Sequence, residues 1–268
     1  MVYIKGEFGV SFAQTDLEPQ GVGKKKLPFV NFEPYLDTSD FSGLHEEVVL
    51  GLSAIDQNHM SWGKFTGVFP SDRGIYESVM IEDEYLTSGN LSEKEKALFR
   101  TMNKQQMRKY LYFSKPILKP WAFTVYLKTS SFSEKSKNNP IWDPVAASFP
   151  KLCRFVESMP FEQIGRVMFF CTDGFRDVPL HRDDYPAKHA DHSVNIFFDG
   201  WRPSYIYDPR TGDKQYLEKG CRAYVFNNRD YHGVDAENRF RYTLRVDGTF
   251  NAETIRALDL YDDGSIMI

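Results

Sequence analysis

The chain has 268 residues, enough for one large domain with a substantial core. A formal charge of −4 with 41% hydrophobic and 26% charged residues is ordinary for a globular protein and carries no global footprint for nucleic acid. Three cysteines, widely spaced and without a C-x-x-C pair, argue against a disulfide framework or a zinc ribbon and suit a reducing cytoplasm.

No apolar run approaches the length of a membrane helix, and the N-terminus lacks a signal-peptide core, so a soluble cytoplasmic protein is expected. The opening 40 residues are punctuated by Gly and Pro, with "KKK" at Lys24–Lys26 read as a solvated turn. Ser92 and Glu95 form a capping box ahead of a helical pattern through Leu98, Met102, Met107 and Leu111. Trp121–Thr129 reads as a strand. Asp143 and Pro144 then make an N-cap and first turn for a helix that Pro150 bends or splits and that ends before Pro160.

From about Gly165 the pattern changes to short runs rich in β-branched and aromatic residues: "RVMFFCT", "SVNIFF", "SYIYD", "RAYVFN" and "RFRYTLRV". Gly, Pro, Asn and Asp separate them, which is the cadence of a β-sandwich or barrel. The fold expected is α+β and β-dominated, a barrel with flanking helices from the N-terminal half. No linker divides the chain, so residues 1–268 are expected as a single domain: a helical and variable flank over 1–160, a barrel core over 161–250, and a C-terminal tail over 251–268.

Three of the six histidines fall in "VPLHRDDYPAKHADHSVNIFF". In His181-Arg182-Asp183 the imidazole and carboxylate are two residues apart, which on a strand puts both on one face. They make two of the three ligands of a 2-His-1-carboxylate triad, and His232, in "YVFNNRDYHGV", supplies the third from a distant part of the sheet. The strand that follows alternates strictly: Arg239, Arg241, Thr243 and Arg245 on one face, Phe240, Tyr242, Leu244 and Val246 on the other. Three arginines on one face either make a basic, solvent-facing strand or, since they repel and are costly to bury, have anions among them. The set just past His232 favours the anion, which a guanidinium grips as a carboxylate in a bidentate fork.

H-x-D, a distal His, then R-x-T resembles the Fe(II)/2-oxoglutarate-dependent oxygenase superfamily, with the approach "IGRVMFFCTDGFRDVPLHRD" similar to prolyl- and aspartyl-hydroxylase-like members. The resemblance spans roughly 164–248. It implies a double-stranded β-helix (a jelly-roll, cupin-like barrel), with Fe(II), 2-oxoglutarate and O2 at its open end. It also implies iron ligands His181, Asp183 and His232, and Arg241 on the distal carboxylate of 2-oxoglutarate beside Thr243. Arg245 and Arg239 are rivals for that role. Asn195, polar among Val194, Ile196 and Phe197, either binds 2-oxoglutarate, faces substrate, or is a satisfied residue against a neighbouring strand.

Weaker candidates surround these. Arg166 either holds a substrate carboxylate or makes a structural ion pair; Asp184 is read as second to the metal or facing substrate. Trp201, Arg202 and Tyr205 either shape a pocket rim or make a hairpin. His189 and His192 are read as mobile loop residues over the site, and His45 and His59 as structural. The implied reaction is hydroxylation of a small molecule, an amino acid or biosynthetic intermediate, with release of succinate and CO2; Asp183 favours hydroxylation over halogenation. A peptide side chain is the next substrate class, and nucleic acid is disfavoured. Two rival readings keep the barrel: a cupin-like enzyme without 2-oxoglutarate, and a non-enzymatic binding module.

Overall fold

A computed structural model describes residues 3–5, 11–13, 18–55, 91–103, 106–107, 110, 122–128, 142–172, 177–182, 192–237 and 239–260. Two antiparallel sheets face each other. The larger has six strands in the order β3 (Val30–Asn31), β10 (Ala223–Val225), β7 (His192–Ile196), β12 (Arg241–Phe250), β5 (Phe161–Thr172) and β4 (Ala122–Lys128). The smaller has four: β6 (Val178–His181), β11 (His232–Val234), β8 (Ser204–Asp208) and β9 (Asp213–Tyr216). From β5 onward successive strands alternate between the large and the small sheet, except that β8 and β9 stay together as a hairpin in the small one. Each of β11 and β12 inserts between strands formed much earlier in the chain. This is the double-stranded β-helix. β1 (Tyr3–Lys5) and β2 (Ser11–Ala13) form a separate hairpin.

Period-2 alternation decides which side chains enter the barrel. Val167, Phe169 and Cys171 of β5, Val194 and Ile196 of β7, and Tyr242, Leu244 and Val246 of β12 turn outward into the main core. There they meet Leu44, Val48 and Leu52 of α1 (Phe41–Ala54) and Leu152, Phe155 and Val156 of α3 (Pro150–Glu157). The alternate residues face the small sheet, where Phe197, Tyr224 and Phe226 pack with Ile206 and Leu217. Gly51 of α1 lies so close to Phe149, in the turn ahead of α3, that a Cβ would fall 2.3 Å from its ring, so glycine allows this close approach.

Of the local signals in the first half that fall on described residues, the strand at Ala122–Lys128 and the capping box are observed, whereas the helical pattern expected through Met102 stops at Phe99, with a turn over 100–102, and Leu111 lies outside the described residues. α2 (Glu93–Phe99) starts on the capping box of Ser92 and Glu95 with both reciprocal hydrogen bonds. The expected helix after Asp143 is split: Pro144–Ser148 forms a 3-10 turn, and Pro150, which lacks an N–H to donate, starts α3 in its first turn. The "KKK" turn is exposed as expected. Two outcomes reach beyond local pattern. The first half contributes edge strands β3 and β4 to the barrel, and the C-terminal stretch forms α4 (Ala252–Ala257), after which Leu258 and Leu260 enter the main core.

Candidate metal and anion site

β6 and β11 pair so that His181 stands directly opposite His232, with ring centroids 4.3 Å apart. On its other side His232 faces Ile206 of β8, and the Phe226 ring lies 4.7 Å from it, so both imidazoles enter the barrel interior. His232 Nδ1 lies 2.8 Å from the Asp230 carbonyl. A carbonyl only accepts, so Nδ1 carries the proton and the lone pair of the neutral ring sits on Nε2, the nitrogen suited to a metal. Two half-buried imidazoles in cross-strand register, one with its tautomer set, fit a divalent metal of the kind that takes nitrogen and carboxylate ligands. Asp183, Asp184 and His189 lie outside the described residues. Among the described residues no group of three His, Cys, Asp or Glu side chains is arranged to hold a metal ion.

Further into the barrel the interior becomes polar. Arg245, opposite Asn195 across β12 and β7, donates from Nε to Asp247 Oδ1 (2.7 Å) and from a terminal nitrogen to Ser193 Oγ (3.1 Å). Arg166 contacts Asp247 Oδ2 at 2.7 Å, and Ser193 Oγ donates to Asp247 Oδ1 at 2.8 Å. Burial alone would raise the Asp247 pKa; Arg245 and Arg166 outweigh it and hold the carboxyl below its usual range. Arg166 therefore makes the structural ion pair, one of its two expected roles.

Arg241 begins β12 with its side chain wholly buried, donating to the Asp235 carbonyl and lying 3.7 Å from Glu237 Oε2. Arg239 precedes the strand and grips Asp199 and the Trp201 carbonyl, so only Arg241 and Arg245 of the three arginines are ladder residues. Arg202, read from sequence only as a rim or hairpin residue, is the arginine that reasoning undervalued. It is 3% exposed, its guanidinium lies 5.1 Å from the centre of the Phe197 ring, and it donates to the Tyr242 carbonyl. Its Nε is buried without a hydrogen-bond acceptor, and burial lowers its pKa to about 10. Asn195 Nδ2 is likewise buried without an acceptor. Tyr224 is opposite Asn195 in the ladder, its ring 5.4 Å from that of Phe197 and its hydroxyl 3.2 Å from Ser204 Oγ. A buried Arg in the turn ahead of a strand ("GWRPSY") was the available signal for Arg202.

One expectation is corrected. His192 is not a mobile loop residue over the site: β7 starts one residue earlier than "SVNIFF", and parity with Val194 and Ile196 turns it into the core. There it is 3% exposed, stacks on Phe250 at 4.4 Å and accepts the Phe250 N–H. Trp201 takes the hairpin role, one of its two expected ones: its indole N–H donates to the Leu217 carbonyl while its ring packs on the Phe197 cluster. His45 is structural as expected, its ring stacked on Tyr242 and its Nδ1 2.8 Å from the Tyr242 hydroxyl. His59 lies outside the described residues.

No known family profile matches the chain, and no curated protein sequence matches it. Several solved structures resemble it in outline. AviO1 from Streptomyces viridochromogenes Tue57 matches over 89% of this chain and 95% of its own, at 12% identity and a TM-score of 0.36. An oxidoreductase of the 2OG-Fe(II) oxygenase family from Burkholderia pseudomallei matches over 50% of this chain and 75% of its own, at 14% identity and a TM-score of 0.33. A variant of the salicylate 1,2-dioxygenase from Pseudoaminobacter salicylatoxidans matches over 70% of this chain and 33% of its own, at 16% identity and a TM-score of 0.27. At such identities and scores no residue role passes from these proteins to this one; the double-stranded β-helix rests on the chain's own strand order.

Proposed function

We propose that this chain is an Fe(II)- and 2-oxoglutarate-dependent oxygenase that hydroxylates a small molecule, an amino acid or biosynthetic intermediate, in the cytoplasm. The observation that carries the reading is the pair of buried donors lacking acceptors, Arg202 Nε and Asn195 Nδ2, on the interior whose Phe197, Tyr224 and Phe226 rings lead to the His181–His232 pair. A buried donor without an acceptor costs roughly 1–3 kcal/mol, so this interior favours a ligand rich in acceptor oxygens. A dicarboxylate is such a ligand.

In this reading His181, Asp183 and His232 hold the iron. Arg241, with Thr243 beside it and Arg202 adding a second guanidinium, takes the distal carboxylate of 2-oxoglutarate, while Asn195 donates to the same co-substrate. Arg245 is engaged with Asp247 and Ser193, and Arg241 with the Asp235 carbonyl and Glu237, so the choice of Arg241 rests on its place in the R-x-T motif. Held there, iron would supply the oxidation that converts 2-oxoglutarate, O2 and the substrate into succinate, CO2 and the hydroxylated product. The chain supplies the rest. The Asp230 carbonyl keeps the proton on His232 Nδ1, the arginines fix the co-substrate's orientation, and Phe197, Ile206 and Phe226 exclude water from the interior. Asp184 is the remaining candidate to face substrate, since Arg166 and Trp201 are engaged in the scaffold.

Succinate formation tests this reading. The protein, loaded with Fe(II) and given 2-oxoglutarate and a panel of amino acids, peptides and nucleotides, should release succinate, and Arg241→Ala should lower the rate at least tenfold. No succinate with any substrate, together with no calorimetric binding of 2-oxoglutarate, would sink it.

A further inference from the structure

The turn that carries His232 is held from outside the barrel by a distant piece of the chain. Residues 20–27 fold into a tight clip in which Val22 and Leu27 exchange backbone hydrogen bonds at 2.8 and 3.1 Å. Gly21 sits at φ +67°, and a Cβ there would fall 2.3 Å from the Lys26 backbone, so the clip closes only with glycine. One side is anchored in the main core by Val22, 3% exposed, in the cluster that contains Leu258.

The other side grips the 227–230 turn. The Asp230 carboxylate, on a residue 4% exposed, accepts the N–H of Gln20 at 2.6 Å and of Gly21 at 2.8 Å. Asn227, wholly buried, donates to the Gly21 carbonyl at 3.2 Å, and the turn is closed by Asp230 N–H donating to the Asn227 carbonyl at 3.0 Å. The same Asp230 then presents its own carbonyl to His232 Nδ1. A buried carboxylate is costly unless its lone pairs are met, and here both oxygens are met by the clip's backbone. The side chain of Asp230 fixes the peptide whose carbonyl sets the tautomer and tilt of the imidazole.

We infer that Asp230 is a positioning residue for His232, and that the clip at 20–27 belongs to the metal centre although it lies some two hundred residues away in sequence. This rests on the metal-site reading above. Outer partners of a metal-bound histidine typically govern affinity by 10–100-fold.

The test is a Co(II) titration of the full chain, followed by its visible spectrum, in wild type, Asp230→Asn, Gly21→Ala, His181→Ala and Leu152→Ala. Asp230→Asn keeps one acceptor and loses the other; Gly21→Ala opens the clip while leaving the residues of the 227–230 turn unchanged. Both are expected to weaken Co(II) binding by about 10–100-fold and to alter its spectrum. Leu152→Ala, a cavity in α3 remote from the barrel interior, lowers stability and leaves both readouts at wild-type values. Wild-type affinity and spectrum in Gly21→Ala and in folded Asp230→Asn, with binding lost in His181→Ala, overturn the inference alone. A wild-type chain that binds no Co(II) overturns the metal-site reading and the inference with it.

Discussion

Asp247→Asn is the most direct perturbation of the barrel's charged interior. The native carboxylate is 1% exposed and meets Arg245 Nε at 2.7 Å, Ser193 Oγ at 2.8 Å and Arg166 at 2.7 and 3.0 Å. An asparagine keeps the shape, removes the charge and turns an N–H2 toward groups that are themselves donors. Removing one member of a buried ion-pair network typically costs about 3–5 kcal/mol, whereas replacing the whole set by apolar residues of like volume is often neutral or stabilising. Asp247→Asn is therefore expected to lose about 3–5 kcal/mol in urea unfolding at pH 7, and the triple change Arg166→Met, Asp247→Leu, Arg245→Met to recover most of it. The pH dependence has a fixed sign. The folded pKa of Asp247 is depressed, so its contribution is complete above the ordinary carboxylate value of 3.8 and is lost as pH falls through the lower folded value. The gap between wild type and Asp247→Asn should narrow below pH 3.8. Equal urea midpoints at pH 7 would refute the reasoning.

Two further outcomes follow from buried polar groups. Asn195→Leu removes a donor that has no acceptor, so the ligand-free protein should gain roughly 1 kcal/mol in urea unfolding while calorimetric affinity for 2-oxoglutarate falls at least tenfold; a loss of stability with unchanged affinity contradicts this. Burial lowers the His45 pKa below its ordinary 6.5, so the native state resists the proton that the unfolded chain accepts, and stability declines as pH falls from 6.5 toward the folded value. His45→Gln should flatten the thermal-melting profile in that window, and an unchanged slope would show that His45 does not set it.

Much of the barrel was legible because strand alternation and turn residues are local. The runs at 204–208 and 223–225, and the alternation that buries Tyr242, Leu244 and Val246, are where pattern alone put them. The opposition of His181 and His232 was legible only as a motif, since their cross-strand register is set by the return of β11 beside β6. His192 was misread because a density of His and Asp looks like a loop, whereas one extra residue of strand reverses nothing but its own exposure. Arg202 was read only as a rim or hairpin residue, and Asp230 was passed over, because their importance lies in contacts with Phe197, Tyr242, Gln20 and Gly21 that no spacing rule encodes. The edge strands β3 and β4 are recruited across long stretches of chain for the same reason.

Anaerobic Fe(II) titration tests the central claim most directly. The account predicts one tight equivalent per chain, abolished by His181→Ala and by His232→Ala, with 2-oxoglutarate binding that strengthens once the metal is present. No tight equivalent, or one that survives both substitutions, contradicts it.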